Sequence, residues 1–183
     1  MRLWLSRPTG FGNTAVVVMS SAYGDGMPVR YQIRPLGDLP WPHGLGKAEY
    51  PELEWQMKRH LGNGYGSRAV HERALHCDPL YRMIAQDELS KLSWAADLLS
   101  AVDDVTAIAS RSPLLGRTLE DVDDWRSWCW PVRESLSFSV YSWLSAPPRI
   151  LPSKYEIGDG THRLTYLRLH RGADHPVLVQ EVY

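Results

Sequence analysis

The middle of the chain carries apolar side chains at the spacing of α-helices. Between residues 49 and 61, three large apolar side chains lie four positions apart, so they share one face of a helix. Residues 87–102 show this pattern over a longer stretch and predict the clearest helix of the chain. The pair Pro147-Pro148 ends the pattern, because proline lacks the N–H group that a helix interior needs. We therefore expect a helical region from about residue 49 to about residue 145.

Polar residues mark the predicted starts of several of these helices. Ser67 fits the N-cap of a helix over residues 67–76, and Asp87 fits the N-cap of the helix that follows. The segment 118–121, Thr-Leu-Glu-Asp, is of the capping-box type and predicts the start of a further helix. Side chains of these types accept hydrogen bonds from the first free N–H groups of a helix, and they are favoured there for that reason.

The two ends of the chain show the patterns of β-strands. Residues 14–19 are apolar and rich in β-branched side chains, whereas residues 29–33 alternate as a half-buried strand does. Near the C-terminus, residues 149–157 predict a further strand, and the apolar run at residues 176–179 predicts a closing strand. We expect these strands to meet in a mixed sheet. The whole chain, residues 1–183, is then one α/β (α+β) domain with the helical region as an insertion.

The segment 158–163, Gly-Asp-Gly-Thr-His-Arg, has the features of a loop that binds an anion. Gly158 and Gly160 have no Cβ and can adopt positive φ angles, so the main chain there can approach a ligand closely. If a helix follows, its first N–H groups and its positive dipole end attract a phosphate group. Arg163, and His162 when it is protonated, would add positive charge at the same place.

Asp159 is unexpected in a phosphate loop, because a carboxylate repels phosphate. It fits if it binds a divalent cation or accepts a proton from an attacking hydroxyl group. An Asp-Gly pair between strands is also a strong hairpin signal, so an ordinary turn is as well supported by local physics. Residues 164–169 lack a clean helical stripe. We nevertheless favour a helix there, because Gly172 and then Pro176 supply its stop signals.

The order of these segments resembles the ParB/sulfiredoxin superfamily. Its signature is a strand, the sequence Asp-Gly-x-His-Arg, a helix and a strand of the type Val-Pro-Val, which corresponds here to residues 157–163, 164–171 and 175–179. Residues 29–39 resemble the first strand and the following turn of that superfamily. The resemblance implies a ParB/sulfiredoxin-like mixed sheet, in which the helical region is an unusually large insertion.

The resemblance also implies a ligand, because the motif of this superfamily lies against nucleotide phosphates. The implied nucleotide-binding residues are Gly158, Gly160, Thr161, His162 and Arg163. Sulfiredoxins have a cysteine where this chain has Thr161, and ParB proteins place a helix-turn-helix after the domain, whereas this sequence ends at Tyr183. The free-serine kinases use an acidic residue in the turn, and Asp159 matches that pattern.

We therefore expect a kinase that transfers a phosphoryl group from ATP, with Mg²⁺, to a small hydroxyl-bearing metabolite such as an amino acid. The expected catalytic residues are Asp159, which would also hold the metal, His162, and a second acid at Glu49 or Glu52. Two alternatives stay open. One is a nucleotide-regulated interaction module without catalysis, and the other is a ParB-like DNA-binding or nuclease protein.

Composition narrows these alternatives. Twenty Lys and Arg residues against 21 Asp and Glu residues give a net charge of −1 without a basic block, so we expect no nucleic-acid partner. No apolar run approaches the ~18 residues of a membrane-spanning helix. Cys77 and Cys129 are far apart, which predicts a reduced, cytoplasmic protein. The cluster Trp125, Trp128 and Trp130 would wall a pocket or, more simply, pack in the core. No pattern in the sequence predicts an oligomeric state.

Overall fold

The computed structural model describes residues 27–183, and the strand predicted at residues 14–19 lies outside them. Within the described residues, the chain forms seven α-helices and a five-stranded mixed sheet, which confirms the predicted α+β class. In residues 27–183, no helix combines the length and the apolar character that crossing a bilayer requires. The elements are β1 (Val29–Pro35), α1 (Pro51–Leu61), α2 (Arg68–Cys77), α3 (Pro79–Ser90), α4 (Ala95–Ala109), β2 (Thr118–Leu119), α5 (Val122–Cys129), α6 (Phe138–Ser145), β3 (Arg149–Leu151), β4 (Glu156–Asp159), α7 (Thr161–His170) and β5 (Pro176–Val182).

The sheet brings the two ends of the described chain together. Its strand order is β2-β1-β5-β3-β4. Strands β1 and β5 are antiparallel along their whole length, from the pair Val29 and Val182 to the pair Pro35 and Pro176. Strand β3 runs parallel to β5 on its other side and pairs with β4 in an antiparallel hairpin. The mixed sheet was thus predicted correctly, but the helical region also contributes the short strand β2, which pairs with β1.

The core lies between this sheet and the helices, and part of the tryptophan cluster belongs to it. Trp125 is fully buried, stacks on Tyr31 of β1 with ring centroids 4.1 Å apart, and donates its indole N–H to the Leu144 carbonyl at 2.8 Å. Trp128 packs half-buried against it, whereas Trp130 is largely exposed. Core packing therefore explains Trp125 and Trp128.

The helix predicted at residues 87–102 is in fact two helices, with a turn at residues 91–94 between α3 and α4. Asp87 is not an N-cap. The N-cap of α3 is Asp78, whose carboxylate accepts hydrogen bonds from the N–H groups of the first helical turn, and Pro79 fills the first helical position. This Asp-Pro start is favourable because the proline lacks only a hydrogen bond that the helix start cannot make.

Two other predicted helix starts also differ from the structure. Thr118 lies in β2 rather than in a helix, and its hydroxyl accepts a hydrogen bond from Arg30 at 3.0 Å. Helix α5 begins only after Asp121, which caps it by accepting from the Asp123 N–H at 2.9 Å. Ser67 does occupy the N-cap position of α2, but its side chain makes no capping hydrogen bond. Strand pairing with β1 explains the conformation of Thr118.

The segment 149–157 was predicted as one strand, but it folds into the hairpin of β3 and β4. The turn contains Tyr155, the one described non-glycine residue with positive φ, at 50°. Arg68 donates to the Tyr155 carbonyl at 2.6 Å, and the Tyr155 hydroxyl donates to the Asp38 carbonyl at 3.3 Å. Pro152 accounts for the break, since proline has no N–H group to continue strand pairing.

Candidate functional site

A cleft of about 420 Å³ opens where the turn between β4 and α7 meets the loop that precedes α1. Three parts of the chain line it: residues 158–163 from the turn and the start of α7; Gly44, Gly46, Lys47 and Tyr50 from the loop; and Trp94, Ser142 and Ala146 from the helical region. The predicted motif therefore lies in the wall of a cleft. For most of the other lining residues, no pattern in the sequence indicated that they lie near this motif.

Gly160 determines the shape of the turn between β4 and α7. Its φ of 85° is left-handed, a conformation that favours glycine. A Cβ at this position would also lie only 2.7 Å from the Pro148 Cβ, so two independent constraints exclude a side chain. Gly158, by contrast, lies in β4, and a Cβ there would make only ordinary contacts, the nearest at 3.4 Å. Of the two glycines in the motif, only Gly160 therefore has a backbone conformation and surroundings that require glycine.

The chain becomes helical immediately after Gly160. The first hydrogen bond of α7 runs from the Leu164 N–H to the Gly160 carbonyl at 3.0 Å, so the N–H groups of the three preceding residues have no carbonyl partner inside the helix. Gly160 has no side chain that could cap them. These donors and the positive end of the helix dipole therefore meet the cleft that residues 160–163 line. The predicted helix is confirmed, and its start can attract an anion.

Arg163 provides a fixed positive charge in the wall of the cleft. Its guanidinium donates to the Ala146 carbonyl at 3.0 Å and lies 5.1 Å from the centre of the Trp143 ring. The side chain is only 19% exposed. Burial lowers the pKa of Arg163, while the nearby Asp159 carboxylate acts in the opposite direction. Because α6 holds the guanidinium in this position, its charge is oriented before any ligand arrives.

Asp159 is the acidic residue among the described residues that line the cleft. It ends β4, and its side chain is 69% exposed. Its carboxylate lies 3.9 Å from the Arg163 guanidinium, which is longer than a hydrogen bond. The carboxylate can therefore bind a cation or accept a proton, which are the two roles that the sequence left open.

His162 has a different environment from the one predicted. Its Nε2 lies 3.0 Å from the Leu45 carbonyl oxygen, and Nε2 must carry the proton because a carbonyl can only accept. The ring also meets the Tyr50 ring edge-on, with centroids 5.0 Å apart. Burial lowers the pKa of His162, which favours the neutral imidazole. The geometry thus does not favour the expected role of a protonated, phosphate-binding His162.

Lys47 also lines the cleft, although no motif in the sequence predicted it. Its side chain is 48% exposed, and its ammonium group lies 3.6 Å from the Glu49 carboxylate and 5.6 Å from the centre of the Tyr50 ring. Such an exposed ion pair is weak, so the ammonium group is available to a stronger anion. The one local signal for it was the sequence Gly-Leu-Gly-Lys at residues 44–47, where two glycines precede a cation.

The segment that precedes the Lys47 loop in the chain also contacts α7. Arg168 of α7 donates to the carbonyls of Leu39 at 2.9 Å and Pro40 at 3.2 Å, and its guanidinium lies 4.2 Å above the Trp41 ring. Burial lowers the pKa of Arg168 to about 10. Because these contacts join the segment after β1 to α7, both walls of the cleft are attached to the same helix.

The two other predicted acids have different positions relative to the cleft. Glu49 is exposed and lies beside Lys47, at the margin of the lining residues. Glu52 lies on the surface of α1, where its carboxylate accepts a hydrogen bond from Gln56 at 3.0 Å, and it is not among the lining residues. The structure therefore brings Asp159 and His162 together in one cleft, with Glu49 nearby, and leaves Glu52 outside.

Comparison with known proteins identifies no relative. No protein-family model, no curated protein and no solved structure matches this chain. The features that indicate a function are therefore the geometry of the cleft and the residues of the motif at positions 157–163.

Proposed function

We propose that this cleft binds the phosphate groups of a nucleotide, and that the protein transfers a phosphoryl group from ATP to a small hydroxyl-bearing metabolite such as an amino acid. One observation carries the proposal. The free N–H groups of α7, the cations of Lys47 and Arg163 and the exposed carboxylate of Asp159 all line a single cleft. Phosphoryl transfer requires such positioning and charge neutralisation more than covalent chemistry by the protein.

The size and the lining of the cleft support a nucleotide as the ligand. A volume of about 420 Å³ lies within the ~300–1,000 Å³ that is usual for small-molecule sites. The N–H groups at the start of α7 and the ammonium group of Lys47 would bind phosphate oxygens. Trp94 and Tyr50 supply aromatic surface in the same cleft, against which a base can pack. The resemblance of residues 157–163 to the ParB/sulfiredoxin motif supports the same ligand.

The residues of the cleft fit an Mg²⁺ ion that arrives with the nucleotide. Mg²⁺ is usually held by one or two carboxylates together with substrate phosphates, rather than by a complete set of protein ligands. In residues 27–183, no group of three or more His, Cys, Asp or Glu side chains could hold a metal ion without help. Asp159 is the residue that would hold the ion, which would supply charge neutralisation between the phosphates.

The transfer requires one proton acceptor. The bond between the γ-phosphorus and its bridging oxygen breaks, a bond from the substrate hydroxyl oxygen to that phosphorus forms, and the hydroxyl proton moves to a base. Asp159 lines the cleft and is the first candidate for this base, while Glu49 beside Lys47 is the second. If Asp159 holds the metal instead, its replacement changes the Mg²⁺ concentration that turnover needs.

Phosphorus NMR tests the proposal directly. The wild-type chain is incubated with ATP, Mg²⁺ and one hydroxyl amino acid at a time, and we expect ATP to be consumed only when the correct acceptor is present. Asp159→Asn should abolish turnover, because the uncharged amide accepts no proton and is a much weaker cation ligand than a carboxylate. Nucleotide binding, followed by thermal shift, should survive in this variant. Undiminished turnover of Asp159→Asn would contradict the assignment of Asp159, and the absence of ATP consumption with every acceptor would contradict the kinase assignment.

A nucleotide-regulated interaction module is the second candidate function, and the position of the cleft favours it. Trp94, Ser142 and Ala146 of the helical region line the same cleft as the motif, so a bound nucleotide would contact both parts of the domain. Such a ligand can shift a conformational equilibrium in the helical region. In that case phosphorus NMR would show no ATP consumption with any acceptor, while hydrogen exchange in α4 and α6 would change on nucleotide binding.

We further infer a cytoplasmic location from the two cysteines. Cys77 is exposed and Cys129 is buried, and neither forms a disulfide. Burial raises the pKa of the Cys129 thiol to about 12, which keeps it protonated and unreactive. Free thiols are usual where the environment is reducing. Labelling of the native protein from its source cells should modify Cys77 rapidly without prior reduction.

A further inference from the structure

The backbone of Leu45 is held from both sides. Its N–H donates to the Tyr65 hydroxyl at 3.0 Å, and its carbonyl accepts from His162 Nε2 at 3.0 Å. Leu45 itself is completely buried. Two successive peptide units of the loop, on either side of the Leu45 Cα, are therefore hydrogen-bonded, one to a residue that follows α1 and the other to the first turn of α7. We call this arrangement of Tyr65, Leu45 and His162 the Leu45 clamp.

Tyr65 is itself fixed by buried groups. Its carbonyl accepts a hydrogen bond from Nε2 of His71 at 2.6 Å, and Nδ1 of His71 accepts from the Tyr81 hydroxyl at 3.0 Å. His71 is completely buried and belongs to α2, and Tyr81 belongs to α3. The side of the clamp that Tyr65 forms is therefore rigid. The orientation of the loop relative to α7 then depends on the other side, which His162 forms.

The loop also touches α1 on a third side. A Cβ at Gly46 would lie 2.5 Å from the Glu54 Cδ, so the backbone passes close to this carboxylate. Lys47 follows Gly46 directly, two residues beyond Leu45, and its side chain lines the cleft. The main chain that carries Lys47 is therefore held on one side through the preceding three residues and on the other by the Tyr50 N–H, which donates to the Lys47 carbonyl at 2.8 Å.

We propose that His162 is a positioning residue, which holds the 44–47 loop against the start of α7 and thereby keeps Lys47 in the cleft. This inference rests on the proposed function, because it assigns Lys47 to the phosphate groups of the bound nucleotide. The role requires only an N–H donor at the position of Nε2. It requires neither a positive charge on the imidazole nor proton transfer, because a neutral ring that is protonated at Nε2 already makes the Leu45 contact.

A matched pair of variants separates this role from the others. His162→Gln places an amide N–H donor the same number of bonds from Cα as the imidazole Nε2, but it can neither become a cation nor shuttle a proton. His162→Ala removes the donor. Both variants lose the ring that contacts Tyr50. A difference between the two variants therefore reports the hydrogen bond to Leu45 rather than the packing of the ring.

Hydrogen exchange of the ligand-free protein tests the clamp itself. We expect the amides of residues 44–47 to exchange on the order of fivefold to tenfold faster in His162→Ala, the effect of one lost hydrogen bond. In His162→Gln they should exchange within about twofold of the wild-type rate, since the donor is restored. Unchanged exchange in His162→Ala, or equal acceleration in both variants, would overturn the proposal.

ATP affinity then tests whether the clamp acts through Lys47. We expect His162→Ala to weaken ATP binding by about tenfold and His162→Gln by less than about threefold. In a Lys47→Met background, His162→Ala should weaken binding no further, because the residue through which it acts is gone. An equal loss in both backgrounds would overturn the proposal. If the wild-type chain binds no nucleotide, the proposed function is wrong, and the exchange rates still decide whether His162 holds the loop.

Discussion

The two glycine-containing walls of the cleft are built in opposite ways. The turn at residues 158–161 is shaped by its own sequence, because Gly160 adopts φ of 85° and the helix begins at the next residue. The 44–47 loop is shaped by contacts from outside, since Tyr65, His162 and Glu54 determine its path. The helix N-terminus therefore exists as soon as the turn forms. The Lys47 cation takes its place only when the whole domain has folded.

The largest expected effect concerns the turn at residues 158–161, which is shaped by its own sequence. Gly160→Ala should lower the free energy of unfolding by about 2–5 kcal/mol, because left-handed alanine costs ~1–2 kcal/mol and the clash with Pro148 adds ~1–3 kcal/mol. Urea unfolding measures this loss. Gly158→Ala is the matched control, and we expect it to change the free energy by less than about 1 kcal/mol, since its Cβ meets no close contact. Equal losses in both variants would show that the turn is not shaped by Gly160.

The second prediction concerns Lys47 in the 44–47 loop, which is held in place by contacts with the rest of the domain. Lys47→Met should weaken ATP binding by about 1–2 kcal/mol, the effect of a lost hydrogen bond to a charged group. It should leave the free energy of unfolding within about 0.5 kcal/mol of the wild type, because the side chain is half exposed. Titration calorimetry and urea unfolding measure these two quantities.

A control variant and a second cation sharpen this prediction. Lys154→Met removes an exposed lysine from the hairpin turn, outside the lining of the cleft, and should not change ATP binding. Arg163→Ala should weaken ATP binding by ~1–3 kcal/mol. It should also lower stability, because Arg163 is packed against Trp143 and bonded to Ala146. If Lys47→Met and Lys154→Met bind ATP equally well, Lys47 does not take part in the site.

The same contrast explains what the sequence could predict. The turn and α7 were accessible because their signals are local: a glycine pair, a His-Arg step and stop signals at Gly172 and Pro176. The Leu45 clamp was not accessible, because Leu45 bonds to residues 20 and 117 positions away. An apolar residue between two glycines gives no sign of such partners. The position of Lys47 in the cleft could not be predicted for the same reason.

The fold shows the same division between local and distant signals. Pairing of the two chain ends could be predicted, because alternation marks residues 29–33 and a continuous apolar run marks residues 176–179. The short strand at Thr118 could not, since only its pairing with β1 makes it extended. The break at residues 91–94 was missed because the apolar pattern continues across it. Asp78 and Pro79 nevertheless gave a sufficient local signal for the start of α3.

The third prediction uses pH, to which the two histidines that support the 44–47 loop should respond. Burial lowers the pKa of both His71 and His162, so the folded protein keeps each imidazole neutral at pH values where the unfolded chain already protonates it. The unfolded state therefore binds more protons just below pH ~6.5. The free energy of unfolding should fall as the pH decreases from that value toward the folded-state pKa values. Above it, both states are neutral, and these residues contribute no slope.

Urea unfolding at pH 7.5, 6.5 and 5.5 measures this slope, with the three values chosen to lie above the carboxylate range. His71→Gln and His162→Gln should each flatten it, since an amide does not titrate, whereas Gly158→Ala should keep the wild-type slope. This effect is the smallest of the three near neutral pH, because one histidine contributes at most ~1.4 kcal/mol per pH unit and only below its unfolded-state pKa. A wild-type slope in both histidine variants would show that neither imidazole is held neutral by folding. The clamp and its support would then be as insensitive to pH as the turn at Gly160.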